Sequence, residues 1–292
     1  MTSRLLMPFR TVAPAPHRVF EAGDQDPTAG SVRPTAILDL DHPRVAAFVA
    51  RVRREADERG AATDRDRLRI AHGMIVTSVR PVYSVEDRRR VSRTLRLGRG
   101  SCSQRMAVLE AVARSLAVET RVRGLLVDGA FWYPRFPRLR PFVPAEVLLA
   151  WPEFRLDGAW VPIAELFAAP RESGPDPAGA LAPGTPAPGT PAPGAPAPGT
   201  LAAGVPVGPD ASFTNSGAET LFEAVARTTV DWDAPAACAG TAPCDLSAHL
   251  RTDLGRFTSR DDLFARHGQT LCRPARTLAE PVLGRWSAGA TG

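Results

Sequence analysis

The sequence contains no lysine, so all 36 of its Lys/Arg-type residues are arginine. GC-rich codon usage explains this bias better than a phosphate-binding surface does. The net charge of +5 therefore does not predict a nucleic-acid partner. The densest basic cluster, Arg88-Arg89-Arg90, is interpreted as a solvated face, and the alternative is that it binds an anionic substrate or a carrier protein.

Long apolar runs are also missing, since no stretch approaches the ~20 apolar residues of a membrane span. The first 16 residues lack the continuous apolar segment of a secretory signal. We therefore expect a cytoplasmic protein with no membrane partner, whose four cysteines are reduced. No cofactor or metal is predicted, because the paired Cys-x2-Cys spacing of zinc sites is absent from the candidate ligands, which are Cys238, Cys244, His249, His267 and Cys272.

Composition divides the chain into four parts. Residues 1–33 form an irregular extension rich in Pro, Gly and charges. Residues 34–170 form the core. Residues 171–211 are a Pro/Gly/Ala-rich insert with little apolar surface to bury, which we expect to be disordered. Residues 212–285 carry helix-start signals at Ser216 and Ser259 and a stop at Gly268, so they are expected to be mainly helical and to pack on the core.

Two helices are predicted at the start of the core. Pro43 is typical of a helix start, and the four residues that follow at helical spacing share one apolar face: Val45, Phe48, Val49 and Val52. A second apolar stripe predicts a helix over about 66–79, on which His72 lies with Leu68 and Ile75. His72 is most simply a hydrogen-bonded core or boundary histidine.

The most informative residue is Cys102. Ser101 can cap a helix that continues through Met106, Leu109 and Val112 at steps of three or four residues. Cys102 would then occupy the first turn, where free N–H groups and the positive end of the helix dipole favour a thiolate. The alternative is that Cys102 is a small buried apolar residue.

A β-hairpin follows this helix. The run from residue 118 to 127 is β-rich and ends at a Gly turn, which predicts a strand. Two further apolar runs, residues 147–156 and 159–163, are joined by Asp157-Gly158, a strong signal for a two-residue hairpin turn. Pro152 and Pro162 have no N–H to donate, so each should lie at an edge or a bulge.

A helix-start cysteine, a strand and a hairpin of the form Ala-Trp-x-Glu-(x3)-Asp-Gly-x-Trp-Val-Pro resemble the transglutaminase-like superfamily, a papain-type thiol fold. The resemblance covers roughly residues 65–166. It implies an α+β core with helical segments before and after it. It also implies that Cys102 is a nucleophile, that a histidine directly precedes the Ala-Trp pair, and that an aspartate follows the Trp-Val-Pro strand.

At the two other triad positions this sequence has Leu149 and Ala164, so the triad is degenerate. No histidine lies between His72 and His249, and no shift of the alignment restores one. A cysteine nucleophile needs a base that takes up its proton and returns it. Glu165, next to the aspartate position, could replace the orienting carboxylate, although adjacent residues of a strand point to opposite faces. A base could come from His72, or through tertiary folding from His249 or His267.

Two functions remain open. In the first, the protein is a thiol enzyme that forms an acyl-thioester on Cys102 from a peptide, amide or acyl substrate, which a carrier could present. The acyl group then passes to an amine or to water, making the protein an acyltransferase or a hydrolase. In the second, the fold is a binding or accessory module and Cys102 is a remnant. Cys102 favours the first, whereas Leu149 and Ala164 favour the second.

Overall fold

The computed structural model describes residues 29–168, 215, 219–227, 230, 232 and 246–288. The predicted insert at 171–211, Cys238, Cys244 and the first 28 residues lie outside the described residues. Of the predicted extension, residues 29–33 are described, and there Ser31 donates its N–H to the Thr120 carbonyl at 3.0 Å.

Three helices come first in the chain: α1 (Pro43–Glu58), α2 (Asp64–Ser78) and α3 (Val91–Leu97). His42 caps α1 by accepting the N–H of Arg44, and Pro43 opens the helix as predicted. The predicted apolar face of α1 is buried. Thr63 caps α2, which begins two residues before the predicted start, and Leu68 and Ile75 are buried in the core.

The fourth helix, α4 (Cys102–Ser115), is the centre of the fold. A short parallel pair, β1 (Arg80–Pro81) and β2 (Arg99–Gly100), precedes it. All eleven residues from Gln104 to Arg114 are buried, so α4 is covered on every side rather than along the predicted stripe alone. Helices α1, α2 and α3 and the main sheet all pack against it.

The main sheet is antiparallel, with strand order β5-β4-β3-β6, and its strands are β3 (Thr120–Asp128), β4 (Glu146–Leu156), β5 (Ala159–Pro162) and β6 (Leu250–Phe257). The predicted hairpin is β4–β5, and its turn has φ 51° at Asp157 and 79° at Gly158. Positive φ at both positions is the two-residue turn that Asp-Gly favours. Pro152 lies just beyond the last β4–β5 pair, Glu153 with Pro162. Pro152 is nevertheless paired with Val122 of β3 in the interior of the sheet, so it has an open side only toward β5, whereas Pro162 lies on the edge strand β5.

The C-terminal segment contains a strand that the expectation of a mainly helical segment misses. Strand β6 pairs with β3, with register shifts in the pairing, and Gly255 lies at φ 81°. Such irregularity removes the regular alternation by which a strand is predicted. The segment's helices are α5 (Leu221–Ala224), α6 (Arg260–His267) and α7 (Arg273–Leu283).

The caps of the C-terminal helices are predicted in part. Ser259 caps α6 and Gly268 ends it, as predicted. Thr220 precedes α5 and donates its backbone N–H to Glu223 at 2.8 Å, whereas the predicted start signal Ser216 lies outside the described residues. The described residues therefore form an α+β fold, as predicted. None of their helices has the length and hydropathy of a membrane-spanning segment.

Candidate functional site

Cys102 is the first residue of α4 and a free, partly exposed thiol. Ser101 and Gln104 form a capping box. The Gln104 amide oxygen accepts the Ser101 N–H at 3.0 Å, and the Ser101 hydroxyl accepts the Gln104 N–H at 3.4 Å. The capping box occupies two of the four N–H groups that a helix start leaves free. The N–H groups of Cys102 and Ser103 have no acceptor among the described residues.

Gln104 also joins the helix start to the loop at residues 84–87. Its side-chain NH2 donates to the Ser84 hydroxyl and to the Glu86 carbonyl, at 2.7 Å in each case. Gln104 is 1% exposed, so these bonds are shielded from water. Buried hydrogen bonds of this kind fix geometry because breaking one leaves an unsatisfied polar group. The loop is therefore held in a fixed position relative to Cys102.

Cys102 lines a cavity of about 260 Å³, called the Cys102 cavity below. Most of its wall is apolar and comes from the segments 131–136 and 139–149, and Tyr83 and Leu271 are among the residues that line the rest. Leu139 and Phe142 line the cavity and are also exposed, so the cavity opens to the surface beside them. The space suits an apolar group that enters from solvent and reaches the thiol.

Asp87 is the buried carboxyl of the Cys102 cavity, at 9% exposure. Burial raises the pKa of Asp87 from 3.8 to about 7. A hydrogen bond from the Thr270 backbone N–H opposes this rise, the charge of Glu86 adds to it, and Arg260 and Arg276 oppose it. Near neutral pH both the protonated and the ionised form are present. Asp87 can therefore take up or release a proton there.

Only one of the two degenerate triad positions lines the Cys102 cavity. Leu149 lies on β4, pairs with Leu125 and lines the Cys102 cavity together with Cys102. Ala164 is buried in a 3-10 turn after β5, at 2% exposure, and does not line the cavity. Glu165 does not line it either, and its backbone carbonyl accepts a hydrogen bond from Arg65 at 3.0 Å. The structure thus brings Leu149, but neither Ala164 nor Glu165, to the cavity of Cys102.

No histidine among the described residues lines the Cys102 cavity. The Nε2 of His72 donates to the Phe222 carbonyl at 2.6 Å, and the ring stacks on Phe222. Burial lowers the pKa of His72, against the effect of this hydrogen bond. His249 packs edge-on against Phe131, a residue of the cavity wall, and His267 packs against Phe257.

The Arg88-Arg89-Arg90 run is only in part a solvated face. Arg88 and Arg90 are exposed, but Arg89 is 6% exposed and forms a salt bridge with Glu280. Arg89 also donates to the Gln104 amide oxygen at 3.0 Å. The interpretation is wrong for Arg89, because its charge is neutralised by a partner almost two hundred residues away.

Sequence reasoning missed two parts of the site. Asp87 precedes the arginine run in a loop, and no periodicity marks it, so its burial depends on tertiary packing alone. The segment 131–136, Phe-Trp-Tyr-Pro-Arg-Phe, does carry a signal, because four aromatic residues in six are unusual in a chain that is 7% aromatic. Dense aromatics of this kind are typical of ligand cavities.

Residues 48–164 match the family model of the transglutaminase-like superfamily. No curated protein and no solved structure matches the chain. The matched range begins in α1 and ends at Ala164, so it includes Cys102 and both strands of the predicted hairpin. Helix α4 and the β4–β5 hairpin are the two elements on which the resemblance rests. Residues 48–164 are therefore a transglutaminase-like domain.

Proposed function

We propose that this domain carries out acyl chemistry at Cys102, forming a thioester from an amide or ester and passing the acyl group to an amine or to water. One observation supports this function most strongly. The Cys102 thiol, in the first turn of a buried helix, opens on an apolar cavity that also contains a buried carboxyl. Acyl transfer requires a nucleophile and a proton acceptor in the same site.

The helix start offers a second element of the chemistry. Acyl transfer places negative charge on the carbonyl oxygen, and backbone N–H groups stabilise that charge. The N–H groups of Cys102 and Ser103 are the two that the capping box leaves free within the described residues. They are the oxyanion donors in this proposal.

The cavity wall suggests the class of substrate. An apolar acyl group or an apolar peptide side chain fits a space lined mainly by aliphatic and aromatic residues. A carrier could present such a group through the opening beside Leu139 and Phe142. A reduced, cytoplasmic setting belongs to the same proposal, because the nucleophile must remain a free thiol.

Acylation with p-nitrophenyl acetate tests the proposal. This ester reacts with many side-chain amines, but the chain has no lysine, so the background is low. After an acid quench, peptide mass spectrometry should find an acetyl thioester on Cys102. Cys272, the other free thiol of the described residues, should react far more slowly, and Cys272→Ala should retain the adduct. Equal labelling of both thiols, or none on Cys102, would overturn the proposal.

The second candidate is a binding or accessory module, and a specific observation favours it. Leu149 places an aliphatic side chain at the family's histidine position within the Cys102 cavity, and Ala164 is apolar at the aspartate position. Such a module would bind an apolar ligand equally well with Cys102→Ala. Ligand binding that survives this substitution, with no thioester in the native chain, would identify the module.

A further inference from the structure

We propose that Asp87 takes up and returns the proton of Cys102, in place of the histidine that the domain lacks. This inference rests on the proposed acyl chemistry and names the group that would make it work. Asp87 is not at either of the family's two other triad positions, which Leu149 and Ala164 occupy. It reaches the site from a different part of the chain, the loop that precedes α3.

Three observations on the geometry support this role. Asp87 and Cys102 line the same cavity. The loop that carries Asp87 is bonded to the first turn of α4, because Gln104 donates to Ser84 and to Glu86 while it caps the helix that begins at Cys102. Glu280 of α7 holds the same loop from the other side by accepting the Val85 N–H at 2.9 Å. The carboxyl and the thiol therefore belong to one rigid assembly.

The surroundings of Asp87 suit a proton acceptor rather than a structural ion pair. Asp87 forms no salt bridge with any described residue. The groups that face it are Glu86 on its own loop, Arg260 of α6, Arg276 of α7 and the Thr270 backbone N–H. Arg260 and Arg276 are themselves bonded to Glu110 and Glu86. Burial has the largest effect on Asp87 and raises its pKa to about 7. A general base works best when its pKa is close to the working pH, so this value suits a base near neutral pH.

The S–H bond of Cys102 breaks as the Asp87 carboxylate takes the proton, and the sulfur forms a bond to the substrate's carbonyl carbon while the carbonyl π pair moves to oxygen. When that pair returns, the bond to the leaving nitrogen or oxygen breaks, and the leaving atom takes the proton from Asp87. Water or an amine then attacks the thioester and gives a proton to Asp87. Sulfur departs and recovers that proton.

The test measures the rate at which iodoacetamide alkylates Cys102, from pH 5 to pH 10, in the full chain. Native protein, Asp87→Asn and Glu86→Gln are compared by peptide mass spectrometry, with Cys102→Ala as the blank. Glu86→Gln is the control because it removes an adjacent carboxyl that does not line the cavity; since the Glu86 charge adds to the rise in the Asp87 pKa, the inflection of this variant should persist at a somewhat lower pH. The two roles that Asp87 could have predict opposite results. A carboxylate that only lies nearby repels the thiolate, so its removal speeds alkylation at pH 7.

If Asp87 accepts the proton, Asp87→Asn slows alkylation at pH 7 by roughly tenfold, and Glu86→Gln leaves the rate near that of the native protein. The native profile also shows an inflection near pH 7 that Asp87→Asn removes. This inflection tests the inference even if the variant fails to fold. Faster alkylation in Asp87→Asn, or a native profile that rises only near the free-thiol value of about 8.5, overturns the role of Asp87. The acetyl thioester on Cys102 would still stand in that case, so the two proposals fail separately.

Discussion

Two parts of the Cys102 cavity wall are built by different physical means. The helix-start wall, residues 84–87 and 101–104, is held by buried polar contacts centred on Gln104. The hairpin wall, residues 147–149 of β4, belongs to the predicted β4–β5 hairpin, and Leu149 occupies the family's histidine position there. The comparison indicates that the fold and the acid–base chemistry are separable in this domain. A hairpin needs only its turn and its alternation, whereas proton transfer needs specific side chains.

A buried ion pair gives the largest predicted effect, on the helix-start wall. Arg260 and Glu110 are both 0% exposed, and Arg260 also donates to the Ser103 carbonyl at 3.1 Å, in the first turn of α4. Arg260→Met leaves the Glu110 carboxylate unpaired in the core, which should lower the free energy of unfolding by about 3–5 kcal/mol. Urea denaturation measures this loss.

The matched control for this prediction is Arg251→Met. Arg251 is 58% exposed in its salt bridge with Asp128, so its replacement should cost under about 1 kcal/mol. The double variant Arg260→Met with Glu110→Leu should recover most of the stability, because it removes both charges. Equal losses for Arg260→Met and Arg251→Met would contradict the claim that buried polar contacts hold this wall.

The second prediction concerns Asp87, on the helix-start wall, and the change in the free energy of unfolding with pH. Because burial raises the pKa of Asp87 to about 7, its contribution to stability is fully present below the unfolded pKa of about 4 and is lost as the pH rises through 7. The uncharged amide of Asn resembles the protonated carboxyl of Asp87 and does not ionise as the pH rises. Asp87→Asn should therefore gain up to about 4 kcal/mol relative to the native protein between pH 4 and pH 8. Urea unfolding at both pH values tests this, with Glu86→Gln as the control. If the difference in free energy of unfolding between Asp87→Asn and the native protein is the same at pH 4 and pH 8, the pKa of Asp87 is not raised by folding.

Local signals predicted those parts of the site whose form depends on a few adjacent residues. Ser101 marked the start of α4, and Asp157-Gly158 marked the β4–β5 turn, because capping and positive φ are set by short-range chemistry. The burial of Leu68 and Ile75 followed from helical spacing in the same way. These signals placed Cys102 on the correct helix and Leu149 on the correct strand, and both residues line the Cys102 cavity.

Long-range packing decided the rest. Strand β6 is a strand because β3 offers it an edge, and its irregular register conceals that role in the sequence. Asp87 is buried because Gln104 and Glu280 hold its loop, and these partners are 18 and 195 positions away from the loop residues they bind. Arg89 is buried for a related reason, its pairing with Glu280. Sequence periodicity carries no information on such pairings.

Restoring the family's residues on the hairpin wall tests whether that wall has lost only its chemistry. Leu149→His places an imidazole in the Cys102 cavity, and Ala164→Asp adds the carboxylate that orients it in the family. An imidazole paired with a thiolate speeds alkylation at acidic pH, so the iodoacetamide rate profile of the double variant should move down by about one pH unit or more.

Val147→His is the matched control. Val147 lies on the same strand two residues away and also lines the cavity, but it is not at the triad position. In an Asp87→Asn background, Leu149→His with Ala164→Asp should restore the rate at pH 7. An equal shift with Val147→His would mean that any imidazole in the cavity is sufficient. No shift in either variant would mean that the hairpin wall does not bring its triad position to Cys102, and the separation of fold from chemistry would then be wrong.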